Sequence, residues 1–289
     1  MPVTDRVRGW VDVFSRSAEK FDTYALATLF IIVVYHDANE LLWSLFNCLA
    51  AIGLVIRRIR LSGLFWLVLG LTVLAQASHG WAQANNHDFL LGYWCVAIGL
   101  AALRPDPVKI LARSGRLLIG LVFALAFAWK LMTPDYLSGD FFEKTILTDS
   151  RFEQFAYRVC GLPTDLHKKN DDFHDELRSS DAVEESISLY ATPQTRLISS
   201  FVTIWTLLIE GLIAFAFLVG RPRQPAGIFF LAVFCVSTYL VAPIIGFGAT
   251  LMLMACATMD ATHRGWRTLA LFLFGLFPAF DVIRKSIAG

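Results

Sequence analysis

The sequence FALAFAWKLMTPDYLSGDFF, residues 123–142, predicts an apolar helix that carries one lysine, Lys130, in its last turn. Pro134 ends this helix, because proline lacks the backbone N–H that a helix interior needs. A single ammonium group on an apolar run of membrane length is costly to desolvate. Lys130 is therefore a candidate functional residue.

The composition indicates an integral membrane protein. Of the 289 residues, 56% are hydrophobic and 17% are charged, whereas soluble domains average about 25% charged residues. The apolar runs extend from about residue 24 to residue 282 with one polar interruption, which predicts a single membrane domain over residues 1–289. The net charge of +1 and the lack of a lysine- and arginine-rich block argue against a nucleic-acid partner.

The predicted fold class is all-α, a polytopic membrane bundle of eight or nine transmembrane helices. Several of the candidate segments are shorter than the roughly 20 residues that cross a bilayer squarely. The candidate segments are residues 22–36, 41–56, 62–79, 88–103, 115–133, 197–219, 226–244, 246–259 and 267–283.

Residues 1–21 predict an amphipathic helix that lies in the membrane interface. One helical face carries the apolar residues, and charged residues occupy the rest of the helix. A cytoplasmic helix docked on loops is the alternative. The apolar face consists of Val7, Trp10, Val11, Phe14, Ala18 and Phe21.

Basic residues occupy alternate connections between the predicted helices, which sets the orientation. By the positive-inside rule these connections are cytoplasmic, and so is the amino terminus. The same alternation places residues 134–196 outside, as an extramembrane helical insertion. The basic groups are Arg6, Arg8, Arg16 and Lys20; Arg57, Arg58 and Arg60; Arg104, Lys109, Arg113 and Arg116; Arg221 and Arg223; and Arg264 and Arg267.

Polar residues converge on the predicted outer side of the membrane. Lys130 and Asp135 flank the end of the fifth helix, and His87 opens the fourth. A partly desolvated lysine is a usable base, and a neutral imidazole can relay protons. The alternatives are a lysine that snorkels to the headgroups and a histidine that caps its helix.

Glu210 lies in the middle of the sixth predicted helix, in the sequence LLIEGLIAFAFL. A carboxylate at this depth has to be paired, protonated or in a wet cavity. The next residue, Gly211, permits a close approach of another helix, so a purely structural hydrogen bond is the alternative.

The sequence predicts no metal, haem or nucleotide site. It contains no HExxH, no Walker lysine loop and no CxxCH. His36 and His79 would ligate a metal only if the fold brought them together.

Two motifs resemble the membrane domain of the vitamin K-dependent gamma-carboxylase and its bacterial relatives, the horizontally transferred transmembrane (HTTM) domain family. They are NNHDFLLG at residues 85–92 and KLMTPDYLSG at residues 130–139. Glu210 and the turn Ile245-Gly246-Phe247 are supporting matches. The resemblance covers about residues 41–258.

The resemblance implies a reduced, menaquinol-like quinone in an outward-facing pocket. Lys130 would be the base and His87 the supporting group, and the other implied residues would bind the cofactor or substrate. The implied partners are the lipid bilayer and a peptide or protein substrate on the outer side. The implied binding residues are Asn85, Asn86, Trp129, Asp135 and Glu210.

The sequence departs from the family at residues 236–240, VSTYL, where the carboxylase has a histidine and an asparagine. It also ends at Gly289 without the carboxylase's large extramembrane domain. Our leading hypothesis is a multi-pass lyase of the bacterial inner membrane in which Lys130 acts on a quinol or another lipid-soluble molecule. The alternatives are a non-catalytic membrane subunit or lipid-binding scaffold, and a transporter coupled to protons through Glu210.

Overall fold

The computed structural model describes residues 20–35, 41–79, 86–179, 189–219, 224–242 and 245–288. Every regular element in these ranges is a helix, which confirms the predicted all-α class for this part of the chain. The predicted interfacial helix of residues 1–21 lies almost entirely outside the described residues.

Within the described residues, 3₁₀ turns precede two of the α-helices, at Ser150–Phe152 and Ala261–His263. The α-helices are α1 (Phe21–Tyr35), α2 (Leu41–Val55), α3 (Arg57–Arg60), α4 (Gly63–His79), α5 (Asn86–Ala102), α6 (Pro107–Met132), α7 (Pro134–Ser138), α8 (Asp140–Thr148), α9 (Glu153–Arg158), α10 (Thr164–Ser179), α11 (Pro193–Leu218), α12 (Gln224–Val241), α13 (Ile245–Thr258) and α14 (Arg264–Ala288).

Each predicted apolar segment coincides with one of these helices. The largest difference is at α6, which begins at Pro107 rather than at residue 115. Its first turns carry Lys109 and Arg113, so their low hydropathy concealed a helix that Pro107 starts at the position proline favours.

Among the described residues, two helices, α6 and α11, are long and apolar enough to cross a bilayer, and shorter apolar helices accompany them. The length and composition of these helices indicate an association with a membrane.

The chain divides into two compact units. The first contains residues 1–122, 213–232 and 245–289, and the second contains residues 123–212 and 233–244. The single membrane domain over residues 1–289 stays a prediction.

The first unit has a core of buried aromatic, aliphatic and small residues. The indole N–H of Trp94 donates a hydrogen bond of 3.0 Å to the Thr28 hydroxyl, which itself donates to the Tyr24 carbonyl at 2.8 Å. Helices α4 and α5 pack closely where Gly63 faces Gly99. A Cβ atom added to Gly63 would lie only 2.8 Å from the carbonyl oxygen of Gly99. Small residues permit such close helix packing in apolar surroundings.

The second unit packs helices α8 to α10 against the first turns of α11 and the end of α12. Its core cluster contains Ile146, Phe152 and Ala156 together with Ala242 of the α12 end, and Ile198 of α11 packs on it. The described part of the predicted insertion is therefore helical. Its position outside a membrane stays a prediction.

Candidate functional site

Lys130 and Glu210 form a buried ion pair in the second unit. The Nζ atom of Lys130 donates to both carboxylate oxygens of Glu210, at 2.5 Å to Oε1 and 2.6 Å to Oε2. The two side chains are only 11% and 7% exposed. The buried carboxylate is thus paired, and the lysine side chain is largely enclosed by protein.

Helices α6 and α11 position this pair. Lys130 lies in the last turn of α6, which ends at Met132 before Pro134, as the sequence predicted. A Cβ atom added to Gly211 would lie 3.3 Å from the ring of Phe127 on α6. The expected close approach at Gly211 is therefore present, and it brings the Glu210 carboxylate within reach of the lysine.

Tyr136 is a site residue that our sequence reasoning did not single out. The Nζ atom of Lys130 lies 5.4 Å from the centre of its ring, within the range of a cation–π interaction. Phe141 stacks on the ring at 4.1 Å, and Phe142 meets its edge at 5.7 Å. The signal in the sequence was an aromatic residue just after the Pro134 turn that follows Lys130.

The Tyr136 phenol stays protonated in this environment. Burial raises the pKa of Tyr136, and the nearby negative charge of Glu210 raises it further. Tyr136 therefore contributes a neutral ring and an O–H group beside the ion pair.

The pair retains hydrogen-bonding capacity. An ammonium group has three N–H donors, and the hydrogen bonds of Lys130 to the described residues go to Glu210 alone. The amine can accept a proton only after the ammonium has released one, and Glu210 is the acceptor at hand. Base chemistry here belongs to the pair rather than to Lys130 alone.

Two other predicted site residues lie near the pair in the chain but are open to the surroundings. Trp129 is 68% exposed, and Asp135 is also exposed, at the start of α7. Neither is enclosed with the ion pair, so their predicted binding role would require a guest at the exposed edge of the site.

His87 belongs to the first unit. It is half-buried in the first turn of α5, with Nε2 3.7 Å from an oxygen of Asp88. Its ring lies 6.2 Å from that of Phe247, so the structure brings together two parts of the resemblance that the sequence separates. A pocket shared by His87 and Lys130 stays a prediction, since the two residues belong to different units.

Asn85 and the side chain of Asn86 lie outside the described residues, and so does His36. His79 is exposed at the end of α4. Within the described ranges, no group of three or more histidine, cysteine or acidic side chains is arranged to hold a metal ion.

No protein-family model matches the sequence, and no curated protein or solved structure matches it either. The resemblance to the HTTM domain family therefore depends on the two motifs and their supporting matches alone.

Proposed function

We propose that this chain is a multi-span membrane protein in which Lys130 and Glu210 together handle a proton of a lipid-soluble guest molecule. The observation that carries the proposal is the ion pair itself, two charged side chains that are buried between the apolar helices α6 and α11. Buried ionisable residues on apolar helices commonly mark proton or substrate pathways.

The proposal includes a bundle of eight or nine spans, formed by the apolar helices and α14. The exposed faces of α6 and α11 support it. On α6, Leu117, Leu121, Leu125 and Trp129 are all exposed at a spacing of four residues. On α11, the exposed side chains are Leu197, Phe201, Ile204, Leu208 and Phe215. Water-soluble monomers rarely expose such continuous apolar stripes, whereas lipid tails cover them without penalty.

The pattern of basic residues gives the proposed orientation. The chain lies in a bacterial inner membrane with its amino terminus in the cytoplasm, and residues 134–196 are outside. This places Lys130 and Tyr136 near the outer side, where a guest can enter from the outer leaflet.

The proposed proton transfer begins within the pair. Lys130 passes its proton to Glu210 and becomes a neutral amine, which then accepts the guest's proton. The products are a protonated Glu210 and a Lys130 ammonium that faces the negative charge developing on the guest. Electrostatic stabilisation of such a charge is strong in a site that excludes water.

A reduced quinone of the menaquinol type is the guest that the HTTM resemblance implies. Bound in the site, it would supply a weakly acidic hydroxyl group and reducing equivalents. The residues fit such a group, because the remaining N–H of Lys130 suits an oxygen acceptor and the Tyr136 and Phe141 rings suit a flat ring. In this proposal His87 assists Lys130, and Asn85, Asn86, Trp129 and Asp135 border the guest.

Mass spectrometry of the lipids and quinones that copurify with the protein tests the proposal. We expect a bound quinone in the wild type and its loss in Lys130→Met, in Glu210→Leu and in the double variant. His87→Ala is expected to weaken retention. The matched control is Lys144→Met, because Lys144 is an exposed lysine of the same unit.

The double variant separates binding from folding. It removes both charges together, so no unpaired charge is left buried and the protein is expected to fold. A quinone retained at the wild-type level in a folded double variant would refute the proposal and favour a non-catalytic lipid-binding scaffold.

A proton-coupled transporter is the second candidate, and the position of Glu210 within an apolar helix favours it. Transport requires that water reach the pair from both sides of the membrane in turn. Cysteines placed around Glu210 and probed with reagents from each side distinguish the two candidates. Labelling from the outer side alone excludes transport.

A further inference from the structure

A cavity of about 790 Å³ lies in the first unit, beside the first turns of α6. The end of α13 and the start of α14 form its other walls. Its volume is in the range of small-molecule binding sites. Its residues are separate from Lys130, Glu210 and Tyr136.

Cations dominate the charged lining of this cavity. Four basic side chains and two carboxylates line it, so its net charge favours an anion. One of the carboxylates, Asp260, is already engaged, because it accepts a hydrogen bond of 3.0 Å from the Thr262 backbone N–H. The charged lining residues are Lys109, Arg113, Arg116, Arg267, Asp106 and Asp260.

Two of the arginines are partly or fully withdrawn from solvent. Arg267 is 4% exposed, and its Nη2 donates a hydrogen bond of 2.6 Å to the carbonyl of Met259, which fixes the guanidinium group in the wall. The Nε atom of Arg116 is buried and has no hydrogen-bond partner among the described residues. Buried N–H groups without a partner are rare in folded proteins. Arg116 also lines the cavity and is half-buried, so its guanidinium group is a charged donor at the cavity wall.

Helix α6 adds backbone donors to the same cavity. It starts at Pro107 and runs for 26 residues. The first-turn amides of such a helix have no intrahelical acceptor, and the helix dipole makes this end positive. Val108 and Lys109, which line the cavity, lie in this turn.

We infer that this cavity binds a phosphate group, with Arg116 and Arg267 as guanidinium donors and the first turn of α6 as a backbone donor. Guanidinium groups bind phosphate oxygens in a two-pronged geometry that lysine does not reproduce. A phospholipid headgroup and a soluble phosphate ester present the same chemical group, so the source of the phosphate is decided by the experiment.

The experiment follows thermal unfolding of the purified full-length protein in an uncharged detergent. The probes are inorganic phosphate and short-chain phosphatidic acid, each titrated at an ionic strength held constant with chloride. Ligands that bind the folded state raise the unfolding midpoint. We expect an apparent Kd that rises about tenfold or more in Arg116→Gln, a change equivalent to one lost charged hydrogen bond.

Two further variants make the test specific. Arg113→Gln changes an exposed cation of the lining and is expected to weaken binding without affecting folding. Arg104→Gln is the matched control, since Arg104 is an exposed arginine of the preceding loop that does not line the cavity.

Protection by both probes supports a site that soluble phosphate can fill, and protection by phosphatidic acid alone identifies a lipid headgroup as the ligand. The inference is overturned if neither probe protects beyond the chloride control. It is also overturned if Arg104→Gln weakens binding as much as Arg116→Gln, because the effect would then be one of general surface charge.

Discussion

Each unit of the molecule contains an ion pair that is at least partly buried, and the two pairs are built differently. In the first unit, Arg60 donates to Asp22 through Nε and Nη2, at 2.7 and 3.3 Å, and to the carbonyls of Gly53 and Leu54 through Nη1, at 3.1 and 2.8 Å. Arg57 donates a further hydrogen bond to Asp22. In the second unit, the side chains of Lys130 and Glu210 form hydrogen bonds with each other alone among the described residues.

This difference separates a structural pair from a functional candidate. The Arg60 guanidinium uses most of its donors to hold the end of α2 to the start of α1, so little capacity is left for a ligand. The Lys130 ammonium keeps a donor, and both partners are strongly desolvated. A buried pair with spare capacity is a poor way to gain stability, which is why we assign it a function.

The largest expected effect comes from breaking the Lys130–Glu210 pair. Lys130→Met and Glu210→Leu each leave one buried charge without a partner, so each is expected to lower the unfolding free energy by about 3–5 kcal/mol. The double variant is expected to recover most of this loss. Chemical unfolding of the four proteins in detergent gives the coupling energy of the cycle.

Additive losses in that cycle would mean that the two side chains do not interact in the folded protein. Lys144→Met serves as the control for lysine removal, because Lys144 is exposed and is expected to change stability little.

The pair in the first unit is expected to respond differently. Arg60→Met leaves two backbone carbonyls without their donor and leaves Asp22 with Arg57 alone, so we expect a loss of about 3 kcal/mol. Asp22→Asn is expected to lose only about 1 kcal/mol, because the Asp22 side chain is 28% exposed and water can replace part of the interaction. The double variant stays as unstable as Arg60→Met, since the carbonyls of Gly53 and Leu54 remain unpaired. Recovery in this double variant would remove the contrast between the two pairs.

The helices could be predicted from the sequence because apolar runs and their polar connections are local features. The start of α6 was missed because Lys109 and Arg113 lower the hydropathy of its first turns. The Asp106-Pro107 pair carried the missing signal, because Pro107 takes the first helical position and acidic residues are common just before it.

The site was predicted only in part. Lys130 and Glu210 could each be identified, because an isolated charge on an apolar helix is unusual. Their pairing could not be derived, because the two residues are 80 positions apart in the sequence. The spacing of residues along one helix does not show which other helix a given side chain faces. Tyr136 was not singled out as a site residue for the same reason, since its position depends on how the chain turns after Met132.

Tyr136 sharpens the comparison, because the pair in the second unit has an aromatic neighbour. Tyr136→Leu removes the ring beside the Lys130 ammonium and its stack on Phe141, so we expect a loss of about 1 kcal/mol in unfolding free energy. Tyr136→Phe keeps the ring and is expected to lose less than half of that. If the Leu and Phe variants are equally unstable, the hydroxyl group of Tyr136 stabilises this region and the cation–π contact contributes no measurable stability.

The smallest effect concerns an exposed pair of the second unit, Asp149 and Arg151. Burial alone would raise the pKa of Asp149, but the hydrogen bonds that Arg151 donates outweigh burial and hold this pKa below its usual value of 3.8. A carboxyl group whose pKa is lower in the folded state stabilises the fold fully above its unfolded pKa, and this contribution is lost as the pH falls through the folded pKa. Asp149→Asn should therefore be less stable than the wild type at pH 6.

On acidification from pH 6 to about pH 3 and below, the wild type is expected to lose this advantage, so the two proteins converge in stability. Unfolding free energies at both pH values check this, with the exposed Asp172→Asn as the control. The side chain of Asp149 also accepts a hydrogen bond of 2.9 Å from the Arg151 backbone N–H and so caps the turn Ser150–Phe152. Asparagine can replace this cap, so the cap itself is expected to add no difference between the two proteins. A difference of the same size at both pH values would mean that asparagine caps the turn less well, and the guanidinium contact would then contribute nothing measurable.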